Sequence, residues 1–312
     1  MTITQLEYII AVDTYKNFAE AAKHCFVTQP TLSMQVKKLE EELNVLIFDR
    51  SKKPVITTEI GKQIILQSRI SLRELNRVKE VVQESKEDYQ GEFKVGIIPT
   101  LSPYLLPLFV TDFIQKYPQV NLIVEELLSE QIAYKLNNDL LDAGILVSPL
   151  GERSLVEIPL FYEAFAVYMS TSHPLTEKDK INFSDLDLND MWLLKEGHCF
   201  RMQAVSICNE NAFTESHNQL KFESGSLETL KRIVEKQHGY TLLPELATLD
   251  LNETQQKHVR YFNDPQPVRE VSLIIHRSYM KRKLVDLLKT EILAHVPKGL
   301  IDQNRGKVVH WR

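Results

Sequence analysis

The sequence predicts an α/β chain in three parts: an all-α winged helix-turn-helix over residues 1–57, a long linker helix over 58–90, and a two-lobed α/β domain over 91–312. Three observations carry this. Helical apolar spacing with tight breaks fills the head of the chain. A proline-free stretch with a coiled-coil-like seam follows. From Gly91 onward, short apolar runs alternate with helical patterns, the rhythm of an α/β sheet. At 312 residues the chain also exceeds what one ordinary core supports.

In the head, Leu6, Ile9, Ile10 and Val12 form one apolar helical face, and the Ala-rich run Phe18–Cys25 predicts a short second helix that packs closely. Phe26-Val-Thr-Gln-Pro then stops one helix and starts another, with Thr28 as N-cap and Pro30 in the first turn, where a missing N–H costs nothing. Leu32, Val36, Leu39 and Leu43 give the third helix a buried stripe. Its opposite face is set by the 100° step per residue: Pro30, Thr31, Ser33, Met34, Lys37 and Lys38. That face is polar and basic, as a helix entering a DNA major groove requires. Arg50–Thr58 reads as a hairpin with Arg50, Lys52 and Lys53 at its tip. We therefore expect Gln29, Pro30, Thr31, Ser33 and Lys37 near base edges, with Arg50, Lys52 and Lys53 on phosphates.

Residues 58–88 continue as one helix of ~46 Å. Ile64, Ser68, Ser71, Leu75, Val78 and Val82 form its seam, which suits dimerisation. In the last part, Phe93–Ile98, Val120–Glu125 and Ala143–Val147 are predicted strands of lobe I, about 91–161 and 268–297. Ala164–Met169, Trp192–Leu194 and Tyr240–Leu243 belong to lobe II, about 162–267. Val271–Ile275 returns to the first sheet, and a helix over 278–296 closes the lobe. Two lobes joined by two crossings leave a cleft.

Bulk properties narrow the function classes. Net charge is −5, but residues 1–90 hold 13 Lys and Arg and 13 Asp and Glu, so the whole acidic excess lies beyond them. A neutral head with basic clusters on an acidic body suits a DNA reader carrying a sensor. Three cysteines make no disulfide framework and fit a reducing compartment. With no signal-peptide pattern and no run near the roughly 18 apolar residues of a membrane span, a cytoplasmic location without membrane contact is expected. His173, His198, His217 and His238 are scattered without ligand-type spacing, so no metal is expected. No glycine loop for phosphate appears either, and no cofactor is implied.

With these residues in view, the chain resembles the LysR-type transcriptional regulators over essentially its whole length. The motif runs through Phe18-Ala-Glu-Ala-Ala-Lys23, Val27-Thr-Gln-Pro-Thr-Leu-Ser33, Lys38-Leu-Glu-Glu-Glu-Leu43, Leu46-Ile-Phe-Asp-Arg50 and Thr57-Thr-Glu-Ile-Gly61. The resemblance implies double-stranded promoter DNA as a partner, dimers or a dimer of dimers, contact with RNA polymerase, and a periplasmic-binding-protein-like regulatory domain. Gly197-His-Cys-Phe-Arg-Met-Gln203, with a second cysteine at Cys208, is similar to the hydrogen-peroxide sensors of that family. That similarity implies Cys199 as the peroxidatic thiol, Cys208 as its resolving partner, and Thr100, Ser129 and Arg269 as hydroxyl and cationic support. The departures are Met202, where an acidic residue is usual, Ser129 in place of threonine, and Met34 where arginine or glycine is commoner.

The residues add their own argument. Cys199 falls at the predicted start of a helix running to Ala212, and a helix N-terminus with His198, Arg201 or Arg269 nearby lowers a thiol pKa. A thiolate attacks peroxide to give a sulfenic acid. Nine residues of helix separate the two thiols by ~13.5 Å and about 900°, on opposite faces. A disulfide needs Cα atoms about 4.4–6.8 Å apart, so the segment must unwind to close the bridge. Two other classes compete: a regulator binding a small metabolite in the cleft, with Cys199 structural, and a thiol peroxidase. A DNA-binding head has no purpose in the enzyme. Cys25 is read as packing.

Overall fold

Short polar side chains start each helix of the head. The computed structural model describes residues 1–84, 90–208, 224–279 and 282–310. Thr2 and Gln5 form a reciprocal capping box at α1 (Ile3–Tyr15), and Asn17 accepts from two amides at α2 (Phe18–His24). Thr28 caps α3 (Gln29–Leu43) with Pro30 in its first turn, as expected from the sequence. Between α2 and α3, Phe26 takes a left-handed φ of 55° and stands almost fully exposed. Strands β1 (Phe48–Asp49) and β2 (Ile56–Thr57) pair antiparallel as the hairpin, and α4 (Glu59–Glu84) leads away. Gly61 permits that exit, because a Cβ there would stand 2.3 Å from the Ile47 carbonyl oxygen.

The core of this unit (Met1–Asp88) gathers Leu6, Ile9 and Val12 with Ala21, Ala22, Leu32, Val36, Leu39, Ile47, Phe48 and Ile65. Leu43, the fourth residue of the predicted stripe, is instead 36% exposed, and Glu40 occupies the buried position. Its Oε1 accepts from the amides of Ile47 (2.9 Å) and Phe48 (3.2 Å), and its Oε2 from Arg50 Nη2 at 2.8 Å. The loop after α3 turns back on itself, and its amides need an acceptor that helix geometry does not supply. Asp13 plays the same part at the base of α4. It accepts from Thr57 Oγ1 (2.7 Å) and Lys16, and from the buried Arg69 at 3.3 Å, so α1, the hairpin and α4 share one carboxylate. The predicted seam divides accordingly. Ser68 is buried against the head, whereas Leu75 and Val78 are exposed. The Val82 side chain and residues 85–88 lie outside the described residues.

The second unit, Tyr89–Arg312, is built on one long sheet. In chain order it holds β3 (Gly91–Ile97), α5 (Ser102–Lys116), β4 (Val120–Glu126), α6 (Ser129–Asn137), β5 (Ala143–Ser148), β6 (Leu155–Met169), β7 (Lys180–Ile181) and α7 (Cys199–Ile207). Then come α8 (Leu227–Val234), β8 (Tyr240–Pro244), α9 (Glu253–Gln256), β9 (Val259–Phe262), β10 (Pro267–His276), α10 (Arg282–His295) and β11 (Lys307–Val308). Strand order is β4-β3-β5-β10-β6-β9-β7, with β8 on β6 and β11 on β10. The expected boundary at 161/162 falls inside β6, which pairs with β10 over its first part and with β8 and β9 over its last. The crossings between lobes are therefore the continuous strands β6 and β10. Trp192–Leu194 is no strand: only Met191 and Leu194 make isolated bridges, to Tyr240 and Ser224. No described helix is long and apolar enough to cross a membrane.

Glu40→Ala strands two buried amides and one guanidinium. An orphaned buried donor costs about 1–3 kcal/mol, so denaturant unfolding followed on the head should show a loss of roughly 2–4 kcal/mol. An unchanged midpoint would remove Glu40 from this role.

Candidate functional site

The reading face of α3 emerges as one exposed strip: Gln29, Pro30, Thr31, Met34, Lys37 and Lys38, with Ser33 half-buried at its edge. Lys37 meets Glu41 at 3.6 Å, an exposed pair one turn on. Lys52 and Lys53 stand exposed at the hairpin tip. Arg50 is exposed as well and is also engaged within the head. Its guanidinium lies 4.8 Å over the Phe18 ring and donates to Ser33 Oγ (3.2 Å) as well as to Glu40. It braces hairpin to helix, because a buried carboxylate claims it first.

The second constellation converges on Cys199. Gly197, at φ 91°, turns the chain so that α7 begins at Cys199. Arg269 on β10 is fully buried and stands in register with Glu163 on β6. It donates from Nε to Glu163 Oε1 at 2.8 Å, with Nη2 2.6 Å from the same oxygen. Its remaining donors reach Thr100, Oγ1 at 2.9 Å and the carbonyl at 3.1 Å, and the guanidinium lies 5.1 Å from the Phe200 ring centre. Since Thr100 Oγ1 accepts from arginine, its own hydrogen is left to donate elsewhere. Ser129 Oγ, buried at the first residue of α6, faces the Cys199 thiol. It falls short of full hydrogen-bond geometry and has no other partner among the described residues.

Electrostatics here correct one expectation. Burial pushes the Cys199 thiol up; Arg269, Ser129 and the amides of Phe200 and Cys199 pull it down without prevailing. His198 adds no charge. Burial, then Lys195, depresses its pKa, and its Nε2 is buried without a hydrogen-bond partner among the described residues. Arg201 turns away to donate to the Leu194 carbonyl at 2.9 Å. The resting thiol is therefore protonated and enclosed, within an array of donors that favours the thiolate once formed.

Cys208 caps the C-terminal end of α7, and the predicted continuation to Ala212 lies outside the described residues. Burial, then Asp187, pushes its thiol up to about 12, against a pull from Tyr240. Both cysteines are free, with the intact helix between them. Gln203, midway along α7 and fully buried, donates to the Val309 carbonyl at 2.7 Å just beyond β11. Ser206 and Ile207 line a 370 Å³ cavity with β11 and Pro267. Met202 points outward, 55% exposed. Cys25 is half-buried beside the head core, its thiol raised by burial and then by Glu7.

Sequence reasoning missed Glu163 and Gln203. A lone acid within the apolar run Leu160–Met169 was the available signal for Glu163; Gln203 gave none. The histidines also need correction. His173 and His238 are not scattered in space, for their rings lie 5.2 Å apart with Asp190 beside them. Two short helical turns, one capped by His173 and one ending at Asp190, meet the segment that enters β8. His217 lies outside the described residues.

A raised Cys199 pKa means that the thiolate fraction at neutral pH is small and grows with pH. Oxidation of Cys199 by excess hydrogen peroxide should accelerate close to tenfold per unit between about pH 7 and 9. A plateau already present below pH 7 would mean that the donors outweigh burial.

The comparisons with known proteins agree with this geometry. Residues 3–62 match the family described as bacterial regulatory helix-turn-helix protein, lysR family, and residues 86–297 match the LysR substrate binding domain. The hydrogen peroxide-inducible genes activator of Haemophilus influenzae is 35% identical over 277 residues, 88% of this chain and 90% of that protein. The DNA-binding transcriptional dual regulator OxyR of Escherichia coli K12 is 33% identical, over 95% and 96% of the two chains. Among solved structures, full-length OxyR C199D from Pseudomonas aeruginosa is similar with a TM-score of 0.77 and 36% identity, covering 94% of this chain and 98% of that one. Matched across head and body alike, the chain belongs to the LysR family of bacterial regulatory helix-turn-helix proteins.

Proposed function

We propose that this chain is a transcriptional regulator that senses hydrogen peroxide with Cys199 and records it as a Cys199–Cys208 disulfide. The observation that carries this is the enclosed Cys199 thiol, faced by the unpartnered Ser129 hydroxyl, beside an Arg269 that also orients Thr100. Relatives named as hydrogen peroxide-inducible genes activators support the reading. The Cys199 thiolate attacks one peroxide oxygen. An S–O bond forms as the O–O bond breaks, two electrons pass from sulfur to peroxide, and the departing hydroxide takes one proton and leaves as water. Thr100 and Ser129 donate to the peroxide oxygens, and Arg269 holds the charge. The Cys208 thiolate then attacks the sulfenic sulfur and displaces its oxygen as a second water, leaving a disulfide. The disulfide persists until an external thiol reduces it, and the helix-turn-helix head couples that persistent state to DNA, which makes the chain a switch.

The same proposal assigns residues 1–57 to DNA binding, 58–90 to dimerisation and 91–312 to sensing. Gln29, Pro30, Thr31, Ser33 and Lys37 would lie near base edges, with Arg50, Lys52 and Lys53 on phosphates. Exposed Leu75 and Val78 on α4 suit a helix that pairs with a second copy. Assembly as a dimer of dimers, contact with RNA polymerase and a cytoplasmic location complete it.

Equimolar peroxide followed by thiol quenching and peptide mapping should yield a Cys199–Cys208 bridge in the wild type and none in Cys199→Ser or Cys208→Ser. If Cys199 stays a thiol, the regulator has another effector, to be sought in the cleft. For the DNA face, Lys52→Ala should weaken binding to every duplex and reduce the salt slope by about one contact. An unaltered slope would take Lys52 off the phosphates.

A further inference from the structure

We propose that His173, Asp190 and His238 form a binding site for a divalent transition-metal ion, with zinc as the best fit, at the edge of the second lobe. Their ligand atoms all lie within 4.8 Å of one another, and His173 Nε2 stands 3.8 Å from Asp190 Oδ2. Ligand atoms around a tetrahedral zinc, each about 2.0–2.2 Å from the ion, are separated by roughly 3.3–3.5 Å. The His173–Asp190 pair needs to close by only a few tenths of an ångström, and the widest separation by up to about 1.4 Å, within reach of side-chain rotation at a half-exposed site. His173 itself is 6% exposed, and its Nε2 is buried without a hydrogen-bond partner among the described residues, near the ligand atoms of the other two groups. An orphaned imidazole nitrogen in such a place asks for a partner.

The backbone builds the cluster. Gly239, at φ 111°, runs so close to Asp190 that a Cβ would lie 2.4 Å from its carbonyl oxygen. Trp192 Nε1 donates to the His238 carbonyl at 3.0 Å, and Met191 bridges to Tyr240, which fixes the Asp190 and His238 segments against each other. The His173 carbonyl accepts from Thr176 Oγ1 at 2.7 Å, which holds the third segment. His173 Nδ1 accepts from the Leu175 amide at 3.3 Å. Coordination through Nε2 moves the ring proton to Nδ1 and forfeits that long bond, a small loss beside a metal–nitrogen bond. Two imidazoles and one carboxylate favour zinc over calcium or magnesium, and the open side leaves the fourth position to water. The Tyr240 ring lies 5.3 Å from that of His173, and Tyr240 also contacts Cys208. The ion would sit one ring away from that thiol but use no sulfur.

The test uses the reduced, chelator-stripped full chain, titrated with zinc against a competing chelator and separately with cobalt(II). One zinc per chain is expected, together with cobalt d–d bands lacking thiolate charge transfer. His238→Ala, at an exposed position, should weaken zinc by more than about tenfold, the scale on which loss of even a supporting group lowers metal affinity. Asp190→Asn should weaken it likewise, and Cys199→Ser with Cys208→Ser should leave it unchanged. Absence of binding, equal binding by His238→Ala, or loss of binding in the cysteine variant would overturn the proposal.

Discussion

Everything near the thiol depends on one buried ion pair, Arg269 with Glu163. Both side chains are fully enclosed, and neither charge survives there without the other. Burial raises the Glu163 carboxyl pKa, and Arg269, with the Leu246 amide, works against that rise. Breaking such a pair by removing one partner typically costs about 3–5 kcal/mol, so the pair is less a source of stability than a commitment. Once Arg269 is present, Glu163 must face it across the β6–β10 register. The arginine's free donors must also be satisfied, which draws in Thr100 from the turn between β3 and α5. The flat guanidinium then offers Phe200 a cation to stack on, and Phe200 follows Cys199 in the chain. One charge thereby fixes a hydroxyl, a ring and the start of α7.

The same pair explains why the thiol can be both shielded and primed. Burial alone would make Cys199 an inert core cysteine. Arg269 and two helix amides oppose burial without cancelling it, so the proton stays while the chain rests. This differs from a simple helix-terminus picture, in which the dipole dominates because solvent already screens the thiol. Here little solvent is present, and desolvation is the larger effect. Cys208 is pushed up to about 12 by burial and then Asp187, with no cation among its influences. The two thiols therefore differ in their surroundings: Cys199 has Arg269 beside it to hold a thiolate, and Cys208 has no such cation.

Much of the head was legible because its information is local. Caps, Pro30 and the 4-3-4 spacing of one helix predict that helix by themselves, and Thr28, Leu32, Val36 and Leu39 fall where they should. Glu40 escaped because its partners come from the returning loop, not from its own helix. Glu163 escaped for the same reason at longer range, with its cation 106 positions away. Apolar runs marked β6 and β10, but a run does not say that one strand serves two lobes, so the boundary was drawn through it. The His173 cluster needs two short helical turns and the segment entering β8, with a left-handed Gly239, to assemble, and none of this shows in spacing along the chain.

The helical state of 199–207 turns chemistry into movement. Helical rise holds the two cysteines ~13.5 Å apart, about twice the longest Cα separation a disulfide tolerates, so no small adjustment closes it. Whatever joins them must first give up the α7 hydrogen bonds. Two further bonds leave α7 from between the cysteines, Arg201 to Leu194 and Gln203 to Val309. Both anchor side chains inside the segment that must unwind, so they cannot both keep their geometry once it does. The first holds the chain entering the thiol loop, and the second holds the strand that pairs with β10 beside Arg269. A Cys199–Cys208 bridge would therefore load the Gln203 contact with Val309, just beyond the strand that pairs with β10.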